Sequence, residues 1–225
     1  MALSAARTGT PGEWAGLTGS PTRLILLRHG QTEYSRDRRY SGRGDPALTE
    51  VGISQAEAVA RRLSGMDDVT AVVCSPLWRA RQTAGAVAGA LGVPIRPHGG
   101  LTETDFGAWE GLTFAEAAGR DPEAHRRWLR DTSVPPPGGE SFDQVYQRVC
   151  RTLDELVAAH AGSTVVVVSH VTPIKSLLRL GLDAGPSVLY RLHLDLASVS
   201  IVEFYPDGNG SVLLVNDTSH LGELC

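Results

Sequence analysis

Two segments of the chain, Arg28-His29-Gly30 and Ser169-His170, place a histidine directly behind a run of aliphatic residues. The runs are Leu24 to Leu27 and Val165 to Val168. Such runs, closed by a turn, are the usual form of buried parallel strands. In open α/β sheets ligands sit at the carboxyl ends of those strands, so both histidines fall where chemistry is done. Arg79 follows a third apolar run, Val69 to Cys74, and Glu103 lies in a loop, Leu101 to Gly111, dense in carboxylates, aromatics and glycines. Guanidinium forks match phosphate oxygens bidentately and stay charged at any relevant pH. A histidine can carry a phosphoryl group covalently, and a carboxyl can move the proton. Arg28, His29, Arg79, Glu103 and His170 therefore suit phosphoryl transfer, a reaction that asks chiefly for positioning and charge neutralisation. Bulky apolar neighbours around Glu103 are expected to desolvate its carboxyl and raise its pKa.

The elements that must position these groups alternate between strand and helix, which predicts an α/β fold. Residues 1 to 21, with a single Trp14, show no sustained period and read as a flexible tail or linker remnant. Residues 22 to 225 form one domain. After the first strand, Glu33 to Pro46 reads as a polar, arginine-rich loop able to close over an anion. Thr49 is the expected N-cap of a helix to about Leu63. Pro76 is expected to start the helix that carries Arg79. Pro94 to Pro97 reads as a short edge strand, with helices at Phe114 to Ala118 and Pro122 to Arg130. Ser141 and Gln144 make a capping box for a long helix to about Ala161. Thr164 to Ser169 is the clearest buried strand, followed by helices from Thr172 to Leu180 and from Pro186 to Arg191. Ser198 to Tyr205 and Ser211 to Val215 predict a hairpin at the sheet edge.

A length of 225 residues favours one domain with a substantial core. A net charge of -4 gives no global reason to expect nucleic acid or an acidic membrane as a partner. Cys74, Cys150 and Cys225 are odd in number and lack metal-type spacing, arguing against a disulfide framework or zinc site. Cys150 reads as buried filler. With no long apolar segment or signal-peptide pattern, the expected location is the cytoplasm. His98, His125, His160, His193 and His220 have no comparable context and read as structural or surface residues. Arg126, Arg127 and Arg130 read as a solvated helical face. Glu110 and Glu140 read as supporting groups only.

Taken in order, Arg28 to Thr32 (R-H-G-Q-T), Ser75 to Ala84, Leu101 to Gly111, Pro137 to Ser141 (P-G-G-E-S) and Val168 to His170 (V-S-H) resemble the histidine phosphatase superfamily. The resemblance runs from about Arg23 to Leu221. It is to the branch containing phosphoglycerate mutases, fructose-bisphosphatase domains and alpha-ribazole phosphatases. The acid phosphatase and phytase branch starts R-H-G-x-R-x-P and takes its proton donor from an aspartate after the second histidine; here Gln31-Thr32-Glu33 and Val171 stand at those places.

The resemblance implies a three-layer sandwich with a mostly parallel central sheet flanked by helices, phosphoglycerate mutase-like in kind. It implies His29 as nucleophile, Arg28, Arg79 and His170 as holders of the phosphoryl oxygens, and Glu103 as general acid and then base, with no metal or other cofactor. Gln31, Thr32, Ser35, Ser41, Gly42 and Val171 fall where the family makes further phosphate or substrate contacts; Val171 replaces a common glycine. The expected reaction is hydrolysis of a small phosphomonoester, with alpha-ribazole 5'-phosphate or a broad acid-phosphatase range as suggested substrates. Phosphoglycerate mutases carry a lysine after the acid and begin the loop after the second histidine with glycine and asparagine. Here Gly107 to Phe114 reads G-A-W-E-G-L-T-F, and Val171-Thr172-Pro173 follows His170, so mutase-type transfer is the alternative and a non-catalytic phosphate-binding scaffold the third reading. The W-E-G loop and the S-H-V-T-P-I-K segment most resemble alpha-ribazole-phosphatase-like domains, some of which are joined to a ribonuclease H domain in actinobacterial bifunctional proteins. A homodimer and such an upstream domain are the partner expectations that accompany the resemblance.

Overall fold

Leu24, Ile25, Leu26 and Leu27 are all fully buried, as four consecutive residues can be only in a strand covered on both faces. The computed structural model describes residues 17–224. Trp14 and Cys225, with most of the expected tail, lie outside the described residues. Strand β1 (Thr22–Arg28) is a central strand of a six-stranded sheet in which it lies between β4 (Thr164–Ser169) and β5 (Val199–Phe204). The order runs from β3 (Ile95–Pro97) through β2 (Val69–Cys74), β4, β1 and β5 to β6 (Gly210–Asp217). The first four strands in that order are parallel; β5 runs antiparallel to β1, and β6 to β5.

Period-two alternation sends Leu24, Leu26, Val165 and Val167 to one face. There they pack with Val145, Val149 and Leu153 of α6 (Phe142–Ala159) and Ile174 and Leu177 of α7 (Val171–Gly181). Ile25, Leu27, Val166 and Val168 face the other way, onto Val59 and Leu63 of α2 (Glu50–Leu63) and Ala80, Ala84 and Val87 of α3 (Trp78–Leu91). The result is the expected three-layer sandwich. A third, smaller core of Tyr40, Phe106, Trp109, Ala117 and Trp128 gathers the connecting segments, among them α4 (Phe114–Arg120) and α5 (Pro122–Trp128), into a cap.

Several local expectations are met at the level of single hydrogen bonds. Ser141 and Gln144 form the reciprocal capping box, and Thr49 Oγ1 accepts from the Gly52 amide. Others need correction. The arginine-rich loop contains a one-turn helix, α1 (Glu33–Arg36), started by its own capping box between Thr32 and Ser35. Pro76 stands in the turn before α3, whose N-cap is Leu77. Pro186–Tyr190 is a 3-10 turn; Gly99–Leu101 adds another just ahead of the loop read from Leu101 to Gly111, and Gly107–Trp109 a third within it. Cys150 is half-buried rather than core. Among the described residues no helix is long and apolar enough to cross a membrane.

Candidate active site

The site begins with strand register. Leu27 pairs with Val168, and Val168 pairs with Cys74, so β1, β4 and β2 end side by side. The residues that follow, Arg28-His29, Ser169-His170 and Ser75, emerge together, and the His29 amide donates to the Ser169 carbonyl at 3.1 Å. Gly30 lets the chain turn away here. A Cβ at that position would strike the Gly52 carbonyl at the start of α2, so the close approach of the loop to that helix requires glycine.

His29 is buried, and its Nδ1 lies 2.7 Å from the Gly30 carbonyl. A carbonyl only accepts, so Nδ1 carries the proton and the neutral ring keeps its lone pair on Nε2. Burial, then the charges of Arg79 and Arg28, push the His29 pKa well below the ordinary histidine value. The ring of His170 stands 5.0 Å away, with its Nε2 2.8 Å from Ser75 Oγ. Burial, followed by Arg79, His29 and Arg28, lowers its pKa too. Both rings are thus held neutral among cations.

Arg28 donates to the Leu194 carbonyl at 2.6 Å, and burial brings its pKa down to about 10, leaving it charged at neutral pH. Arg79 is completely buried and donates to the carbonyls of Gly44 (2.8 Å), Ser41 (3.0 Å) and Gly42 (3.1 Å). Glu103 Oε1 accepts from the Thr104 amide at 2.8 Å and from the Thr172 amide, in the first turn of α7, at 3.3 Å. The guanidinium of Arg148 reaches the Glu103 carbonyl at 3.1 Å while its Nε donates to Glu140 at 2.9 Å, which fixes the acid loop to α6.

Four buried side-chain atoms at this centre have no protein partner among the described residues: Arg28 Nε, Arg79 Nε, His170 Nδ1 and Ser41 Oγ. Unpaired buried polar atoms are costly, and at one place they mark a site built for a polar ligand. Three are on the groups the sequence nominated for phosphate. The fourth, Ser41, is one of its substrate-contact candidates.

Above this centre opens a cleft of about 590 Å³, lined by Arg28, His29, Thr32, Ser35, Ser41, Glu103 and Val171 of the nominated set. Arg79 and His170 are fully buried and do not line the cleft, His170 standing behind His29 at 5.0 Å. Gln31 does not join the lining: its Oε1 accepts from Thr49 Oγ1 and its amide donates to Gln55 Oε1, so it serves the start of α2 instead. Gly42 is likewise turned away, its amide donating to the Glu110 carboxylate at 3.0 Å. Val171, in place of the usual glycine, begins α7 and lines the cleft. His193, read from sequence as a bland residue, lies at the cleft wall.

The rest of the wall escaped sequence reading. Phe106, Phe114, Trp128, Phe142 and Tyr190 give it an aromatic side, and Lys175 joins Arg38 and Arg39 as a cation. Lys175 Nζ donates to the Leu189 carbonyl at 2.8 Å, and burial lowers its pKa. The signal available was helical spacing, since Lys175 stands one turn after Val171. The aromatics come from five separate elements or turns and share no local pattern.

A neutral histidine with a free Nε2, flanked by two arginines, a second histidine and a carboxyl at the ends of parallel strands, defines a phosphoryl-transfer centre. The profile of the histidine phosphatase superfamily (branch 1) matches residues 24–218. The chain belongs to that family. Over 212 residues it is 63% identical to the bifunctional protein Rv2228c of Mycobacterium tuberculosis, covering 94% of this chain and 58% of that protein. The chain therefore spans little more than half the length of that relative. It is 36% identical to phosphoserine phosphatase 1 of Hydrogenobacter thermophilus, over 89% of this chain and 95% of that one. Among solved structures, YhfR of Bacillus stearothermophilus superposes with a TM-score of 0.83 at 33% identity, over 89% of this chain and 99% of that chain.

Proposed function

We propose that this domain hydrolyses phosphomonoesters of a bulky, largely apolar alcohol through a phosphohistidine formed on His29. The observation that carries the reading is the fixed Nδ1 proton of His29, donated to Gly30, beside four unpartnered polar atoms on Arg28, Arg79, His170 and Ser41. In the first step Nε2 attacks phosphorus, the bond from phosphorus to the ester oxygen breaks, and the protonated Glu103 carboxyl gives its proton to the departing alkoxide. In the second, Glu103 takes a proton from water as that water attacks phosphorus, and the bond from phosphorus to Nε2 breaks. Inorganic phosphate leaves, and both groups return to their starting states.

The size and lining of the cleft support a large alcohol. Its volume greatly exceeds that of a phosphoryl group, and rings such as Phe114, Trp128 and Tyr190 offer flat apolar contact. Alpha-ribazole 5'-phosphate, whose alcohol carries an aromatic base, fits this description better than phosphoserine or the phosphoglycerates do. Net hydrolysis is favoured over mutase transfer by the Trp109-Glu110 and Val171-Thr172-Pro173 departures. The wider reading adds a cytoplasmic setting, a homodimer, and an upstream ribonuclease H domain in a longer parent chain; the greater length of the mycobacterial relative fits a longer parent chain and goes no further.

Rapid quench with an aryl phosphate is expected to trap an acid-labile phosphohistidine that is absent from His29→Ala. Steady-state assays on alpha-ribazole phosphate, sugar phosphates, phosphoserine, phosphoglycerates and nucleotides then rank the alcohols. Full turnover by His29→Ala would remove the nucleophile assignment. Interconversion of 2- and 3-phosphoglycerate faster than their hydrolysis would favour the mutase reading, and inactivity with intact phosphate binding the scaffold.

A further inference from the structure

The segment Ser41 to Gly44 is held from two opposite sides by opposite charges. On one side the amides of Gly42 and Gly44 each donate at 3.0 Å, and that of Arg43 at 3.3 Å, to the carboxylate of Glu110. On the other, the carbonyls of Ser41, Gly42 and Gly44 accept from the Arg79 guanidinium at 2.8 to 3.1 Å. The intervening peptide groups are thereby aligned, N–H toward the anion and C=O toward the cation, and each charge strengthens the hydrogen bonds made to the other. Glycine is required for this approach: a Cβ on Gly42 would stand 2.9 Å from Glu110 Oε2, and one on Gly44 2.7 Å from Oε1.

The short hydrogen bonds of the buried Arg79 guanidinium all go to this loop, with the Asp45 carboxylate 3.6 Å from its Nη1, and the amides of the loop are held by Glu110. Asp45 ties the same segment to α3 by accepting from the Trp78 amide at 2.7 Å, next to Arg79 in sequence. Ser41 Oγ, unpartnered and at the cleft wall, is carried by the same peptide run.

We propose that Glu110 is a positioning residue for phosphate binding, acting through the amides of residues 42 to 44 to hold Arg79 and Ser41 in place. The inference rests on the phosphoryl-transfer reading of the site. Its effect is on affinity for the phosphoryl group and on the charge felt by His29, not on proton transfer. In Glu110→Gln the bidentate carboxylate is replaced by a neutral amide with one acceptor, so the three backbone donors are no longer matched.

The test uses the whole chain and inorganic phosphate as probe. Calorimetry is expected to show phosphate binding weakened about tenfold in Glu110→Gln, with KM for an aryl phosphate raised in proportion and kcat largely kept. A thermal melt within a few degrees of the parent separates this from general loosening. In an Arg79→Ala background the same substitution should cost clearly less, only the share acting through Ser41 remaining, because two residues that act through one another are not additive. Should Glu110→Ala fail to fold, Glu110→Gln and Glu110→Asp carry the comparison. Parental phosphate affinity in Glu110→Gln, or an undiminished cost in the Arg79→Ala background, overturns the proposal. Because phosphate binding is read directly, a parent protein that binds phosphate yet hydrolyses nothing would count against the hydrolase reading and leave this inference standing.

Discussion

The rings of His29 and His170 lie 5.0 Å apart because Arg28 and Ser169, the residues before them, are partners in the β1–β4 ladder. Two residues 141 positions apart by number, 170 less 29, thus become neighbours through parallel register alone. A slip of one residue would turn one ring away from the other and invert the buried faces of a whole strand. The four-residue aliphatic core of each strand therefore specifies the chemistry as well as the fold.

This pairing sets the pH dependence. Burial and the neighbouring arginines lower the pKa of His29, so on acidification the ring gains its proton only well below the ordinary histidine value. The His29 ring therefore stays neutral to below the ordinary histidine value. In a profile of kcat/KM measured with a substrate whose own ionisation is accounted for, the acid limb assigned to His29 should fall below pH 6.5. Arg28→Met, which removes one of the depressing charges, should move that limb upward. An acid limb above 6.5 in the parent, or a downward move in the variant, contradicts this account of the charge balance.

In the proposed mechanism Glu103 serves both half-reactions, and the two can be separated by choice of leaving group. A nitrophenolate needs no proton to depart, whereas water attack on the phosphohistidine needs a base. Glu103→Gln acting on p-nitrophenyl phosphate should therefore release about one equivalent of phenolate in a burst, followed by turnover slowed roughly 10²- to 10⁴-fold. Alkyl phosphates should show no burst, since their departure needs the acid. Stopped-flow absorbance reads this directly; linear kinetics at the parental rate would remove Glu103 from the mechanism.

Phe114 offers a way to test the cleft wall without disturbing the core, because it is about half exposed while packing edge-on against Tyr40 at 4.7 Å. Phe114→Ala should raise KM for phosphates of aromatic alcohols roughly three- to tenfold. KM for small sugar phosphates should change little, and the melting temperature by only a few degrees. Equal losses on both substrate classes would show that the wall does not read the alcohol.

The parts of this molecule legible in sequence are those encoded by short-range physics. Leu24 to Leu27 and Val165 to Val168 could only be buried strands, and Ser141 with Gln144 could be read as a helix start because both partners of the capping box lie within four residues. Thr32 and Ser35 make a comparable box, yet α1 went unread because a single turn among arginines carries no apolar period. The positions of Arg28, His29, Arg79, Glu103 and His170 followed from strand ends and family motifs. Gln31 was nominated from a motif, which names residues without naming the direction of their side chains; its side chain is bonded to Thr49 and its backbone amide to Gln55. Arg148, Lys175 and the aromatic wall depend on segments brought together only by the folded chain.

The third core has a consequence for how such a domain can diversify. Tyr40, Trp109, His125 and Trp128 pack on one another, with Tyr40 Oη 2.8 Å from His125 Nε2, rather than on the central sheet. The rings that this core presents to the cleft are thereby packed apart from the two main cores on the faces of the sheet. Exchanges among its rings can reshape what enters while the strand ends stay where they are. One chemical engine can in this way be fitted with many different mouths, and the mouth, not the engine, distinguishes one such domain from the next.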